Sequence, residues 1–110
     1  MNLPNAHRAV VDIAKLRDYC LNPDHPRGRH KARVFAAVLG LTADNAEMLQ
    51  EALLDAARDY QAAGGENDAF GARFVVDFEM DGPAATVRVR SSWIVRASED
   101  FPRLTSCYVL

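Results

Sequence analysis

At 110 residues, with 49% hydrophobic and 25% charged side chains, the chain has the size and composition of one globular domain with a sizeable core. Thirteen basic against fifteen acidic residues give a formal charge of −2, which argues against nucleic-acid binding by bulk charge but leaves room for a local basic site. No apolar run approaches the roughly 20 residues of a membrane helix. The N-terminus carries no basic-then-apolar leader, and Cys20, Cys107 and three scattered histidines lack metal-ligand spacing. The expectation is a single cytoplasmic domain with free thiols and no membrane contact, metal or cofactor.

In chain order, the first residues are irregular and end in the short apolar run Ala9-Val10-Val11, a strand or a lead-in. Asp12 is a fair N-cap for a helix over about 13–21, with Ile13, Leu16, Tyr19 and Cys20 on one stripe. Asn22-Pro23 stops it, because the residue before a proline is pushed out of the α region. Pro23 to Gly28 reads as a rigid loop. The spacing of Val34, Phe35, Val38 and Leu39 then predicts a helix over about 29–39, closed by Gly40.

Thr42 caps a third helix, about 43–62, whose apolar line is Ala46, Leu49, Leu53, Ala57 and Tyr60. Its charged residues occupy a solvated face. Gly64 to Asp68 reads as a flexible connection, after which the period changes to two. Phe74, Val76, Phe78 and Met80 alternate with polar neighbours in a strand over about 73–80. After the Asp81-Gly82-Pro83 turn, a strand over about 85–96 puts Val87, Val89, Trp93 and Val95 on one face and Arg88, Arg90 and Arg96 on the other. A last strand, about 103–109, sends Leu104, Ser106 and Tyr108 one way and Arg103, Thr105 and Cys107 the other. The result is an α+β fold, with N-terminal helices packed on a C-terminal antiparallel sheet of three to four strands.

The stretch from Asn22 to Phe35 concentrates the chemistry. It holds His25, Arg27, Arg29, His30, Lys31 and Arg33 around a helix start, and a helix N-terminus with basic side chains is a ready anion site. His25 sits in a loop, where an imidazole serves either as a general acid or base or as a tie to the backbone. His30 and Lys31 in the first helical turn run against the helix dipole, which either an anionic ligand offsets or the side chains avoid by snorkelling over the sheet edge. Arg88, Arg90 and Arg96 form a cationic ladder suited to phosphate oxygens, or else pair across the sheet with Asp77 and Glu79. Trp93 reads as core in preference to a base-stacking platform. No phosphate loop or dinucleotide glycine pattern is present. Phosphodiester transfer without a metal stays open, since it needs only a base, an acid and cations around the phosphorane, with an RNA 2′-hydroxyl as nucleophile.

Two segments carry a resemblance. Lys15-Leu16-Arg-Asp-Tyr19-Cys-Leu21-Asn22 and His25-Pro26-Arg-Gly28-Arg-His-Lys31-Ala32-Arg-Val-Phe35, continued by Phe101-Pro-Arg-Leu-Thr105-Ser-Cys-Tyr108, are similar to a family of small bacterial proteins of unknown function. Members of that family also occur as C-terminal modules of polymorphic toxins. Helices followed by a sheet ending in a Thr-x-x-Tyr strand further resemble the barnase, colicin and RelE-like ribonuclease toxins. That resemblance implies an RNA-cleaving toxin neutralised by a small protein partner, with His25, Lys31, Thr105 and Tyr108 as its transferable positions and His30 as a substitute base. The alternative is a non-catalytic module that binds a toxin–antitoxin partner or a second copy of itself.

Overall fold

The computed structural model describes all 110 residues. Asp12 caps the first helical segment as expected, its carboxylate accepting from the Ala14 N–H at 2.9 Å. The segment starts as a single α turn (α1, Ile13–Lys15) and widens into a π turn over Leu16–Cys20. A 2.8 Å bond from the Leu21 N–H back to the Leu16 carbonyl closes that wider turn. Leu16, Cys20 and Leu21 are thereby buried together.

Helix α2 (Arg29–Leu39) ends at Gly40, whose φ of 67° is the left-handed cap that its place in the sequence predicts. Its buried line is Ala32, Phe35 and Leu39, with Val38 half-buried; Val34, expected inside, is exposed. The helix buries a narrower stripe than its apolar pattern suggests. Helix α3 (Ala46–Asp59) is shorter than the 43–62 pattern. A 3-10 turn at Ala43–Asn45 precedes it, and the Asn45 side chain accepts from the Thr42 backbone N–H and hydroxyl in a capping box.

The sheet is a four-stranded antiparallel meander, β1 (Ala62–Asp68), β2 (Gly71–Asp81), β3 (Thr86–Arg96) and β4 (Pro102–Val109), in that spatial order. The segment expected as a flexible connection is therefore an edge strand. Its glycines and polar residues conceal it because β1 is exposed beyond Ala62, leaving no apolar alternation to read. The lead-in at Val10 forms one parallel bridge to Arg103 and covers the start of the opposite edge.

Phe74, Val76, Phe78, Val89, Trp93, Leu104 and Cys107 point from the sheet into the core formed with the helices. Trp93 is core, as expected, and its indole N–H donates to the Ser91 hydroxyl at 2.9 Å. Ser91, the one buried polar residue, donates its own hydroxyl proton to the Val76 carbonyl at 2.7 Å. That relay satisfies both groups in a dry interior.

The last strand departs from strict alternation. Ser92 pairs with Ser106 but Trp93 pairs with Leu104, so Thr105 is an extra residue without a partner. A bulge of this kind shifts the phase of the side chains beyond it. Leu104 and Cys107 consequently both face the core, and Tyr108 lies opposite Arg90 on the open face. The expected grouping of Leu104 with Ser106 and Tyr108, and of Cys107 with Arg103, is corrected by that single residue.

Candidate anion site

The loop between the π turn and α2 is built by its own side chains. The Asn22 side chain accepts from the Asp24 N–H at 2.9 Å and donates to the Asp18 carbonyl at 3.1 Å. His25 Nδ1 accepts from two backbone N–H groups, those of Arg27 and Gly28, each at 3.0 Å. Its ring also meets Tyr19 edge-on at 4.7 Å between centroids. Gly28 is obligatory there, since a Cβ would strike the Tyr19 carbonyl oxygen. His25 is thus a loop-tying residue whose Nδ1 is committed as an acceptor. The ring proton then sits on Nε2, which leaves a donor as its free function.

Of the other expected site residues, Lys31, Tyr108 and Arg90 come together. The Lys31 ammonium lies 4.9 Å from the centre of the Tyr108 ring, a cation–π contact that ties α2 to β4. Tyr108 lies directly across from Arg90 on the neighbouring strand. Arg90 is gripped from its other side by Asp77, through Nε at 2.8 Å and a second nitrogen at 2.9 Å. Hydrogen bonding from Arg90, reinforced by its charge and that of Arg88, holds the Asp77 carboxyl below its ordinary range.

The ladder itself does not converge. Arg88 reaches the same Asp77 at 3.9 Å, while Arg96 lies toward Glu99 at 4.0 Å. Six residues of extended chain separate Arg90 from Arg96, about 20 Å, so one phosphate cannot touch both. Thr105 belongs to the Arg96 end. Its hydroxyl donates to the Ser92 carbonyl at 3.1 Å, and with Lys15, Arg96 and Arg103 it lines a cleft of about 100 Å³. His30 is exposed in the first turn of α2 and has no side-chain partner.

Charge compensation sets the region apart. Eight arginines (Arg8, Arg17, Arg58, Arg73, Arg88, Arg90, Arg96 and Arg103) have a carboxylate within 4.0 Å. The remaining five of the thirteen cations are Lys15, Arg27, Arg29, Lys31 and Arg33. All belong to α1 or to the loop and first turns of α2, and no carboxylate occurs in the sequence between Asp24 and Asp44. Lys15 was not among the expected site residues. Its ammonium donates to the Thr105 carbonyl at 3.4 Å. Its four-residue spacing from Tyr19, which supports His25, was the signal available in the sequence.

Residues 2–110 match the family described as a domain of unknown function, DUF6883. The chain belongs to that family. No curated protein matches it significantly. Among solved structures, this DUF6883 chain is similar to one in the contact-dependent growth inhibition toxin–immunity protein complex from Klebsiella pneumoniae 342. The TM-score is 0.63 at 15% identity, over 94% of this chain and 95% of that one. At such identity the likeness shows the shared fold alone. No helix of the DUF6883 domain is long and apolar enough to cross a membrane.

Proposed function

We propose that the domain is a toxin-like ribonuclease that cleaves RNA with its own side chains, at the corner where the 22–28 loop and the start of α2 meet β4. The observation that carries this reading is the grouping of Lys31 over the Tyr108 ring with Arg90 directly across the strand from Tyr108, beside the cations without carboxylate partners. Cleavage requires the 2′-hydroxyl to lose a proton and attack the adjacent phosphorus, while the 5′-oxygen leaves and gains one. The products are a 2′,3′-cyclic phosphate and a free 5′-hydroxyl.

In this reading Lys31 and Arg90 neutralise the developing phosphorane, and Tyr108 orients it between them. His30, free of partners, takes the 2′-hydroxyl proton. His25 offers its Nε2 proton toward the leaving oxygen, a role consistent with its fixed ring. Thr105, Arg88 and Arg96 stand outside this site, the two arginines drawn toward Asp77 and Glu99. Arg27, Arg29 and Arg33 supply the field that gathers a polyanion onto a domain of net negative charge. Incubation of folded protein with total RNA, followed by analysis of the new ends, tests the assignment. Cyclic phosphate ends made by the wild type and lost in Lys31→Ala are expected; intact RNA with the wild type would remove the reading.

A second reading is a non-catalytic interaction module, and the bidentate hold of Asp77 on Arg90 favours it, because a locked guanidinium is less free to meet phosphate. The two readings share a partner. The fold neighbour comes from a toxin–immunity protein complex, and a small acidic protein would complement the uncompensated corner in the same way that RNA does. Growth arrest that survives both His25→Ala and Lys31→Ala would favour the binding module.

A further inference from the structure

A small apolar cavity opens between the end of the π turn, α2 and the 3-10 turn at Ala43–Asn45. Leu21, Pro23, Ala36 and Leu41 line it, and its volume is about 230 Å³. That is below the roughly 300–1,000 Å³ of sites for drug-sized ligands, and it suits a single planar ring better than a whole mononucleotide. Arg33 joins the wall from α2, and Thr42 and Asp44 join it from the turn. Neither Arg33 nor Asp44 has an opposite charge within 4.0 Å. We propose that this cavity takes one base of a single-stranded RNA and favours bases that carry an exocyclic amino group. The inference rests on the ribonuclease reading for its ligand, RNA, and not on the cleavage step.

RNA matches both the walls of the cavity and the charge around it. Its phosphates meet Arg27, Arg29 and Arg33, none of which has a carboxylate partner. An unstacked base brings a flat apolar ring, which leaves water for the aliphatic walls and stacks on the planar guanidinium of Arg33. The exposed polar groups then choose the base. The Thr42 hydroxyl donates to Asn45 Oδ1 at 3.3 Å, which leaves its oxygen as an acceptor. The Asp44 carboxylate is an acceptor as well. Two acceptors select a base edge that donates, so the amino group of cytosine satisfies them, whereas the carbonyl at the same position of uracil would face a carboxylate. An acidic protein with an apolar anchor would meet the same cations, but it would set its carboxylates against Asp44. Lys31 and Arg33 are two residues apart, about 200° around the helix, so the cavity lies across α2 from the Lys31–Tyr108 contact. The base it holds therefore belongs to a nucleotide beside the one whose phosphate Lys31 meets.

Titration of the full chain with fluorescent 2′-O-methyl oligomers of cytidine and of uridine tests this, because such probes lack the nucleophile and report binding alone. At equal salt the cytidine oligomer should bind about tenfold more tightly, within the range of one discriminating base contact. Asp44→Asn, which sets an amide in place of the carboxylate, should remove that preference without weakening the uridine oligomer. Ala36→Leu should fill the cavity and weaken the cytidine oligomer by about tenfold, the loss of one held base. Its thermal midpoint should stay near that of the wild type, since leucine is a good helix former at this exposed position. Equal affinity for the two oligomers, or a preference that survives both variants, would overturn the proposal. Binding of neither oligomer, as expected if the cavity takes the apolar anchor of a protein, would overturn it too. Cytidine preference in a protein that leaves ordinary RNA intact would keep the cavity and remove the ribonuclease; cleavage without preference would do the reverse.

Discussion

On the open face of the sheet every guanidinium has a carboxylate within 4.0 Å, whereas none of the five cations of α1, the 22–28 loop and the first turns of α2 has one. The arginines of the face were the more obvious phosphate candidates in the sequence. Their neighbours decide otherwise: Asp77 lies directly across from Arg90, and Glu99 closes the turn beside Arg96 and Arg103 with bonds of 2.8 Å to the latter. Fixed pairs of this kind align strands and weaken the pull of the face on polyanions, and of these arginines only Arg90, across from Tyr108, belongs to the proposed site. Near α2 the same residue type stands without a counter-charge. Position relative to carboxylates, more than the number of arginines, separates structural from recognition chemistry.

That contrast can be broken from either side. The largest effect is expected from Lys31→Ala, which removes the one cation held over Tyr108. RNA cleavage should drop about a hundredfold, as when a transition-state donor is deleted, with the thermal midpoint nearly unchanged. A loss of activity that tracks a loss of folding would mean that Lys31 only packs.

Next comes the triple variant Arg27→Ala, Arg29→Ala, Arg33→Ala. Its affinity for a single-stranded RNA probe should fall about tenfold at low salt, because steering charge is removed while every ion pair is kept. An unchanged titration curve would place RNA contacts elsewhere.

Asp77→Ala samples the opposite surface and should cost about 1 kcal/mol of stability, discounted for its partial exposure, by freeing Arg90 and Arg88. Because Asp77 and Glu99 titrate below their ordinary ranges when folded, the unfolded chain binds the extra protons. Their stabilisation is therefore complete above the usual carboxylate pKa of about 4 and fades as pH falls through the lower folded values. Unfolding midpoints measured from neutral to acid pH should decline below that point, and less steeply in Asp77→Asn. The smallest effect belongs to Arg88→Ala: its 3.9 Å contact is exposed, so a stability change within about 0.5 kcal/mol is expected in denaturant titrations.

The α+β order, the caps at Asp12 and Gly40 and the inward line Phe74, Val76 and Phe78 were all legible, because each rests on local periodicity or local hydrogen bonding. Strand β1 was hidden, since an exposed edge of Gly, Glu and Asn carries no apolar period. The bulge at Thr105 was hidden too. Nothing near it in sequence signals the extra residue, which is defined only by its pairing with β3. That residue fixes the site, for without the phase change Tyr108 would not share a face with Arg90. The Lys31–Tyr108 contact joins residues far apart in the chain, and only the packing of α2 on β4 brings them together. His25 was legible as a choice between catalysis and loop-tying; its two backbone bonds show the tie.

The most direct test compares how RNA affinity depends on salt in the wild type, in the Arg27/Arg29/Arg33 triple alanine variant and in an Arg88→Ala, Arg96→Ala double variant. If the uncompensated corner gathers the RNA, the triple variant flattens the log–log slope by up to about 2, at roughly 0.7 for each phosphate no longer neutralised, and the double variant leaves it near the wild-type value. A slope that flattens in the double variant and holds in the triple would contradict the account.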